Sequence, residues 1–157
     1  SEGINKVDPK YMGMAYPANS PGLYLDKDSE RKSAKLIVLM STYDSIGEEL
    51  EIPDIPIQKW INVIIRLENR NLDVYINGSI VARHELKSVP RQNIGNVQAN
   101  QGGGFSGLMS NLRYFNKAIT ITDIQKIVAA GPNMSSNSTL SIFPPYLSMR
   151  WFLGQQN

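Results

Sequence analysis

The sequence predicts an all-β protein, a two-layer antiparallel sandwich with one short peripheral helix near residues 120–130. Short apolar or alternating runs recur at the spacing typical of such sandwiches. Two of these runs flank Asn77-Gly78, and this pair is a strong hairpin signal because a type I′ turn needs positive φ at both central residues. Both faces of the hairpin are partly apolar, so each face should be covered at least in part by another layer.

The chain of 157 residues is one domain by its length, and its hydrophobic content of 41% is enough to build a core. A loop-like segment rich in Pro, Gly and Asn, residues 1–21, precedes the first strand. The predicted strands cover residues 23–25, 35–41, 48–52, 60–68, the two arms of the hairpin within 72–86, 94–99, 105–115 and 146–153.

The run at residues 60–68 alternates throughout, so its side chains should point to two different faces of a sheet. One face is purely aliphatic and should pack in the core. The other face is mixed. The aliphatic face consists of Ile61, Val63, Ile65 and Leu67, and the mixed face of Trp60, Asn62, Ile64, Arg66 and Glu68.

The two-residue turn of the hairpin also predicts a register, because it places the residues on either side of it opposite each other. Every further pair then follows by counting outward from the turn. The predicted pairs are Ile76–Ser79, Tyr75–Ile80, Val74–Val81, Asp73–Ala82 and Leu72–Arg83.

One helix interrupts the strand pattern. Thr120 can cap its start, and Asp123 completes a capping box three residues later. Gly131-Pro132 should end the helix after about three turns. Residues 132–145 then form a flexible, mostly small and polar link before the last strand. The apolar stripe of the helix consists of Ile124, Ile127 and Val128.

The composition excludes several kinds of chemistry. Cysteine is absent, which rules out disulfides, thiolate metal ligands and a thiol nucleophile. The longest apolar run, residues 36–40, is far shorter than the roughly 20 residues that cross a bilayer. We therefore expect no membrane span within this chain, although an anchor upstream of Ser1 would fit its abrupt start.

Charge is unevenly distributed along the chain. Residues 1–86 carry 13 acidic and 10 basic side chains, whereas the remaining residues carry one acidic and six basic side chains. Five of the acids cluster between residues 44 and 54. Because nucleic-acid binding requires a continuous basic face, we expect no nucleic-acid partner.

Two short motifs suggest cofactors but lack the context that those cofactors need. Residues 102–107 have the spacing G-x-G-x-x-G, yet the next residues alternate like a strand instead of opening a helix, so a tight turn or a close approach of two backbones is expected. Residues 26–32 open like a calcium loop, but Arg31 and Ile37 stand where an EF-hand needs Gly and Glu. No cofactor is expected, and calcium at an irregular oxygen site is the alternative.

Groups suited to catalysis are scarce. His84 lies on a predicted strand with no nucleophile or orienting acid near it, and we expect an exposed position. Glu49 and Glu51 share one face of a strand about 7 Å apart, which glycoside hydrolysis tolerates. No adjacent aromatic residue would raise the pKa of either acid. The Asn-x-Ser/Thr triplets matter only where a glycosylation machinery is met, and they start at Asn77, Asn133 and Asn137.

Trp60, Arg66 and Tyr75 are the candidate contact residues for a ligand or a protein partner. They lie on the face opposite Ile61 and Val63. Aromatic rings and a planar guanidinium on a sheet face can stack on a sugar or anchor another protein. The alternative is burial of these residues under a second layer or a loop.

Two stretches carry a family pattern: IPIQKWINVIIRLENRNLDVYINGSIVARHEL and GGGFSGLMSNLRYFNKAITITDIQKIVAAGP. They contain a Trp-bearing strand, a YING hairpin, a glycine-rich turn, a GxxSNLRYF-type strand and a short helix. These features follow one another in the order found in concanavalin A-like lectin/glucanase domains of the laminin G-like type, which the chain resembles over residues 52–153. The resemblance implies a jelly-roll sandwich across residues 1–157. The first one or two strands of such domains have no recognisable counterpart before PGLYL.

A narrower resemblance concerns SVPRQNIGNV and PPYLSMRWFL, which are similar to segments of laminin G-like proteins from large nucleocytoplasmic DNA viruses, including the algal-virus and mimivirus groups. It implies location in the virion. Glucanase members carry the motif Glu-x-Asp-x-x-Glu, which this sequence lacks, so the resemblance implies binding or assembly. We therefore expect a non-catalytic minor capsid or virion-associated protein with other capsid or virion proteins as partners. A glycan-binding lectin is the second hypothesis and a glycoside hydrolase the third.

Overall fold

The computed structural model is mostly β-structure with one short helix. It describes residues 20–28, 33–45, 47–93, 95–97, 99 and 104–134. The elements in these ranges are β1 (Gly22–Asp28), β2 (Ser33–Met40), β3 (Glu48–Ile55), β4 (Val63–Glu68), β5 (Asn71–Ile76), β6 (Ser79–Glu85) and α1 (Ile121–Ala130).

The six strands form two antiparallel sheets of three strands each, in the orders β1-β2-β3 and β4-β5-β6. Within each sheet, strands that follow each other in sequence are therefore neighbours in space, as short reversals of the chain produce. After β6 the chain returns to the first sheet, where Thr42 and Pro90 form an isolated antiparallel bridge. The predicted antiparallel β-sandwich with a short helix near residues 120–130 is confirmed for the described part of the chain.

The main core lies between the two sheets. Val38 and Met40 of β2 and Leu72 and Val74 of β5 are buried almost completely and belong to one apolar cluster. Alternation along each strand brings these side chains to the inner face of its sheet. The predicted aliphatic face of residues 60–68 packs against this cluster, which confirms the prediction. Its members there are Ile61, Val63, Ile65 and Leu67.

The hairpin contains a β-bulge, so the predicted register is correct only next to the turn. Ile76 pairs with Ser79 and Tyr75 with Ile80 as predicted, but Val74 then pairs with Ala82. Val81 is the extra residue, and an extra residue on one strand shifts every later pair by one. The predicted pairs Val74–Val81, Asp73–Ala82 and Leu72–Arg83 are therefore wrong. The observed pairs are Val74–Ala82, Asp73–Arg83 and Leu72–His84.

Helix α1 covers part of the outer face of the second sheet. Ile124 is fully buried and packs with Tyr75 of β5 and with Ile119 just before the helix. The carbonyl of Gly78 in the hairpin turn also accepts a hydrogen bond of 3.3 Å from the side chain of Gln125. The predicted apolar stripe of the helix is thus confirmed, and its contacts explain why both faces of the hairpin are partly apolar.

The predicted capping box at the start of α1 is also present. The hydroxyl of Thr120 accepts a hydrogen bond from the backbone N–H of Asp123, and the Asp123 carboxylate accepts one from the backbone N–H of Thr120. Gly131 caps the C-terminus with a φ of 66°, in the left-handed region that glycine adopts without strain. The sequence signals for both ends of the helix are confirmed.

Thr120→Ala should lower the free energy of unfolding by about 1 kcal/mol, because it leaves a backbone donor of the first turn without its acceptor. Thr120→Ser keeps the acceptor and should be close to neutral.

Hydrogen bonds from Thr120 lower the pKa of Asp123, so the contribution of this acid to stability should be present at neutral pH and lost as the pH falls through the lowered pKa. Urea denaturation from pH 7 down to about pH 3, with Asp123→Asn as the variant that lacks the titration, tests both expectations.

Two predicted strands are not formed. Residues 95–97 and 99 of the predicted strand at 94–99 lie in no strand, and neither does any residue of 105–115. Asn111 has a φ of 54°, which interrupts the extended run that the alternation predicted. The predicted strand at 146–153 lies outside the described residues, as do almost all of the segment 1–21 and most of the link 132–145. No helix in the described ranges is long and apolar enough to cross a membrane.

Candidate interaction surface

Residues 104–119, here called the apolar arm, connect the region after β6 to helix α1. The segment from Phe105 to Phe115 belongs to no strand or helix, yet it carries six large apolar side chains. Leu108, Leu112 and Tyr114 expose 79%, 66% and 85% of their surface, and the other three are about half exposed. Several large apolar side chains exposed on one short segment are typical of a protein interaction site.

The apolar arm is fixed to the fold at its C-terminal end. Ile119 is buried beside Tyr75 and Ile124, and its carbonyl accepts a 2.9 Å hydrogen bond from Nε of Arg66. Farther along the arm, the hydroxyl of Ser110 accepts a 2.9 Å hydrogen bond from the backbone N–H of Asn133, beyond the helix. These contacts hold the arm at the helix side of the second sheet.

A close approach of the Phe105 ring to the backbone at Gly107 shapes the start of the arm. A side chain at Gly107 would collide with the ring of Phe105, so only glycine allows the ring to fold over the backbone there. The predicted tight turn or close approach of two backbones at 102–107 stays a prediction, because the contact at Gly107 is with a ring and residues 102 and 103 lie outside the described residues.

The apolar arm is also cationic. Arg113 and Lys117 are exposed, and no acidic residue occurs between residues 104 and 122. No side-chain ion pair of Arg113 is formed within the described part of the chain. The arm therefore presents positive charge among apolar side chains.

The three candidate contact residues lie in different environments. Trp60 lies before β4 and exposes 41% of its surface. Tyr75 exposes only 5%, because α1 and Ile119 cover its ring. Arg66 is mostly buried and holds the carbonyl of Ile119. Arg66 and Tyr75 thus contact the C-terminal end of the apolar arm at Ile119. Of the three candidates, only Trp60 exposes an aromatic ring to solvent.

Arg66 also belongs to a charged network around Asp73, whose side chain is 1% exposed. Arg83 binds this carboxylate through two hydrogen bonds, of 2.6 Å from Nε and 3.1 Å from Nη2. The hydrogen bond with Asp73 raises the pKa of the Arg83 guanidinium. Two guanidinium groups therefore compensate the buried charge of one acid.

Sequence reasoning missed a second buried acid, Glu48, which links the two sheets. Glu48 exposes 5% of its surface at the start of β3. Its Oε2 is 2.9 Å from Nε2 of His84 on β6, and its Oε1 accepts a 3.2 Å hydrogen bond from the hydroxyl of Thr42. The backbone N–H of Lys87 also donates to both oxygens, at 3.0 and 3.1 Å. We call this set the Glu48 latch.

The position of His84 corrects the expectation of an exposed residue, since its side chain is 33% exposed and contacts Glu48. The bulge at Val81 is the reason, because it shifts the parity of β6 and brings His84 opposite the buried Leu72. The sequence held one signal that Glu48 is buried. It is two and four residues from Leu50 and Ile52, so it lies on the same inner face of β3 as these two apolar residues.

The pair considered for glycoside hydrolysis lies on the other face of β3. Glu49 and Glu51 are exposed, and Glu51 forms a 2.8 Å ion pair with Lys35. Among the described residues there is no group of three or more His, Cys, Asp or Glu side chains that could hold a metal ion. The predicted calcium-like run at 26–32 lies largely outside these residues.

Comparisons with known proteins give one distant structural likeness. No family model matches the chain, and no curated protein matches it. Among solved structures, the chain is similar to a crystal structure of an S-layer domain-containing protein from Clostridium thermocellum ATCC 27405. The match has 16% identity and a TM-score of 0.38, and it covers 73% of this chain and 67% of the other.

Proposed function

We propose that this domain is a non-catalytic interaction module that binds a protein partner through the apolar arm. The observation that carries the proposal is the exposure of Leu108, Leu112 and Tyr114 on one irregular segment that is fixed to a packed sandwich. An exposed apolar run costs stability and solubility unless another molecule covers it. A rigid support beneath it also lowers the entropy that binding has to overcome.

The assembly in which this module acts is proposed from the sequence resemblance to laminin G-like domains. The domain is a jelly-roll sandwich of the concanavalin A-like type, in a minor capsid or virion-associated protein of a large DNA virus. Its partners are other capsid or virion proteins. The paired sheets with an outward-facing arm support this reading, because such a domain can bind its neighbour without any catalytic group.

The test is cross-linking of the chain in its native assembly with a lysine-reactive reagent, followed by mass spectrometry. Lys117 lies in the apolar arm, so it should cross-link to a second protein. Lys35 lies on β2, away from the arm, and the yield of its cross-links serves as the internal reference for the yield at Lys117. Leu112→Asp should abolish the Lys117 cross-links and leave those of Lys35 unchanged. Lys117 cross-links that persist at wild-type yield in this variant would contradict the proposal.

A lectin is the second candidate, favoured by the exposed ring of Trp60. Aromatic rings of this exposure can stack on a sugar. Saturable binding on a glycan array that is lost in Trp60→Ala would support the lectin and displace the interaction module. Hydrolysis is the most distant candidate, and turnover of β-glucans that disappears in Glu49→Gln would be needed to support it.

A further inference from the structure

Resting on the proposed function, we infer that the apolar arm binds its partner by strand addition and selects an extended segment with the pattern apolar-acidic-apolar. The segment that carries this inference is Leu112–Phe115. This segment has no turn or bend and belongs to no strand, so its side chains should alternate in direction as they do along any extended chain. Strand addition supplies backbone hydrogen-bond partners and cover for the apolar side chains, and the described ranges of the chain provide neither for this segment.

The alternation sets the recognised pattern. Leu112 and Tyr114 point to one side of an extended chain, and Arg113 points to the other. A partner strand has the same two-residue period, so the residues facing Leu112 and Tyr114 are two apart and should be apolar. The residue between them faces Arg113 on the opposite side and should be acidic. This holds for a parallel and for an antiparallel partner.

Charge complementarity favours a foreign acidic segment over a second copy of the arm. No acid occurs between residues 104 and 122, so a second arm would offer Arg113 no carboxylate and would add the like charges of its own Arg113 and Lys117. A partner carboxylate opposite Arg113 would instead form a cross-strand ion pair. The left-handed residue Asn111 is compatible with pairing on either side of it, since strands accommodate such a residue as a bulge.

The backbone favours a protein partner over an anionic membrane. Within the described ranges, no backbone hydrogen bond joins Leu112–Phe115 to another segment. A lipid surface could take the apolar side chains, but its hydrocarbon region cannot satisfy backbone N–H and C=O groups. A second strand satisfies them along its whole length.

The experiment is selection of a displayed library of random octapeptides on the full chain and on Arg113→Glu. The wild type should enrich an acidic residue between two apolar residues, and Arg113→Glu should enrich Lys or Arg at that position. The best acidic peptide should lose at least about tenfold in affinity on Arg113→Glu, which corresponds to roughly 1.4 kcal/mol. Methylation of alternate backbone nitrogens of this peptide should cause a loss of similar size. Lys59→Glu carries the same charge change at another exposed site and should not alter the selection.

Several results would overturn strand addition. Strand addition is wrong if both proteins select the same consensus, if the conserved positions of the peptides have helical spacing, if backbone methylation does not weaken binding, or if no peptide is enriched. It is also wrong if the chain binds phosphatidylserine vesicles in place of peptides, or if it self-associates and Leu112→Asp abolishes this self-association. If the Lys117 cross-links are nevertheless lost in Leu112→Asp, the interaction module stands and only the binding mode is wrong. If those cross-links persist, the proposed function fails independently.

Discussion

Glu48→Ala is expected to lower the free energy of unfolding by about 3 kcal/mol. The substitution removes the acceptor for Thr42, His84 and the backbone N–H of Lys87 at once. These donors lie on two separate segments, one after β2 and one at the end of β6, and the N–H of Lys87 would be left without its acceptor. Because His84 belongs to the second sheet and Glu48 to the first, the loss should loosen the contact between the sheets.

Chemical denaturation of Glu48→Ala against the wild type measures this effect. Glu51→Gln is the matched control, because it removes a carboxylate from the same strand but breaks only an exposed ion pair, whose expected cost is below about 1 kcal/mol. Glu48→Gln keeps one acceptor oxygen and should fall between the two, which allows the test even if the alanine variant does not fold. Equal stability of Glu48→Ala and Glu51→Gln would show that the latch contributes nothing.

Tyr75→Ala is expected to lower the free energy of unfolding by about 4 kcal/mol, because it opens a cavity between the second sheet and α1. The ring packs against Ile119 and Ile124, so the support of the apolar arm should be lost with it. This matters for any binding assay, since a Tyr75→Ala variant would lose binding through unfolding and not through a missing contact. Trp60→Ala, at a half-exposed ring, should cost at most about 2 kcal/mol.

Tyr75→Phe separates the ring from its hydroxyl. It keeps the packed surface and should change stability by less than about 0.5 kcal/mol. Thermal and urea denaturation of Tyr75→Ala, Tyr75→Phe and Trp60→Ala should therefore rank them in the order of the buried area removed. A Tyr75→Ala protein as stable as wild type would contradict the packing of α1 on the sheet.

The structural features predicted correctly are those whose signals lie within a few neighbouring residues of the sequence. The Asn-Gly turn, the capping box at Thr120 and the apolar face led by Ile61 and Val63 each depend on a few neighbouring residues, and all three are confirmed. The strand predicted at 105–115 had equally good alternation but is not formed. Alternation records the tendency to pair, while a strand forms only where a partner backbone is available.

The polar contacts between elements could not be predicted in the same way. The register beyond Val74 depends on a bulge, and no residue type marks the position of Val81 as one. Of the three proposed contact residues, the alternation gave the correct face for Arg66 and Tyr75, but it could not show that a helix 50 residues away in sequence covers that face. Exposure is a property of the complete fold, which explains why the exposed ring of Trp60, a residue that the sequence had already singled out, and the exposure of the apolar arm emerged only from the structure.

The extra residue in β6 has a consequence for how this sequence can vary over time. Removing the codon for Val81 would delete the unpaired residue of the bulge, and the regular ladder that results still pairs Arg83 with Asp73 and His84 with Leu72. Arg83 would then remain beside Asp73 and His84 beside Glu48. The hairpin should therefore tolerate the loss of one residue at position 81, whereas a second deletion there would find no unpaired residue to absorb it and should be far more harmful.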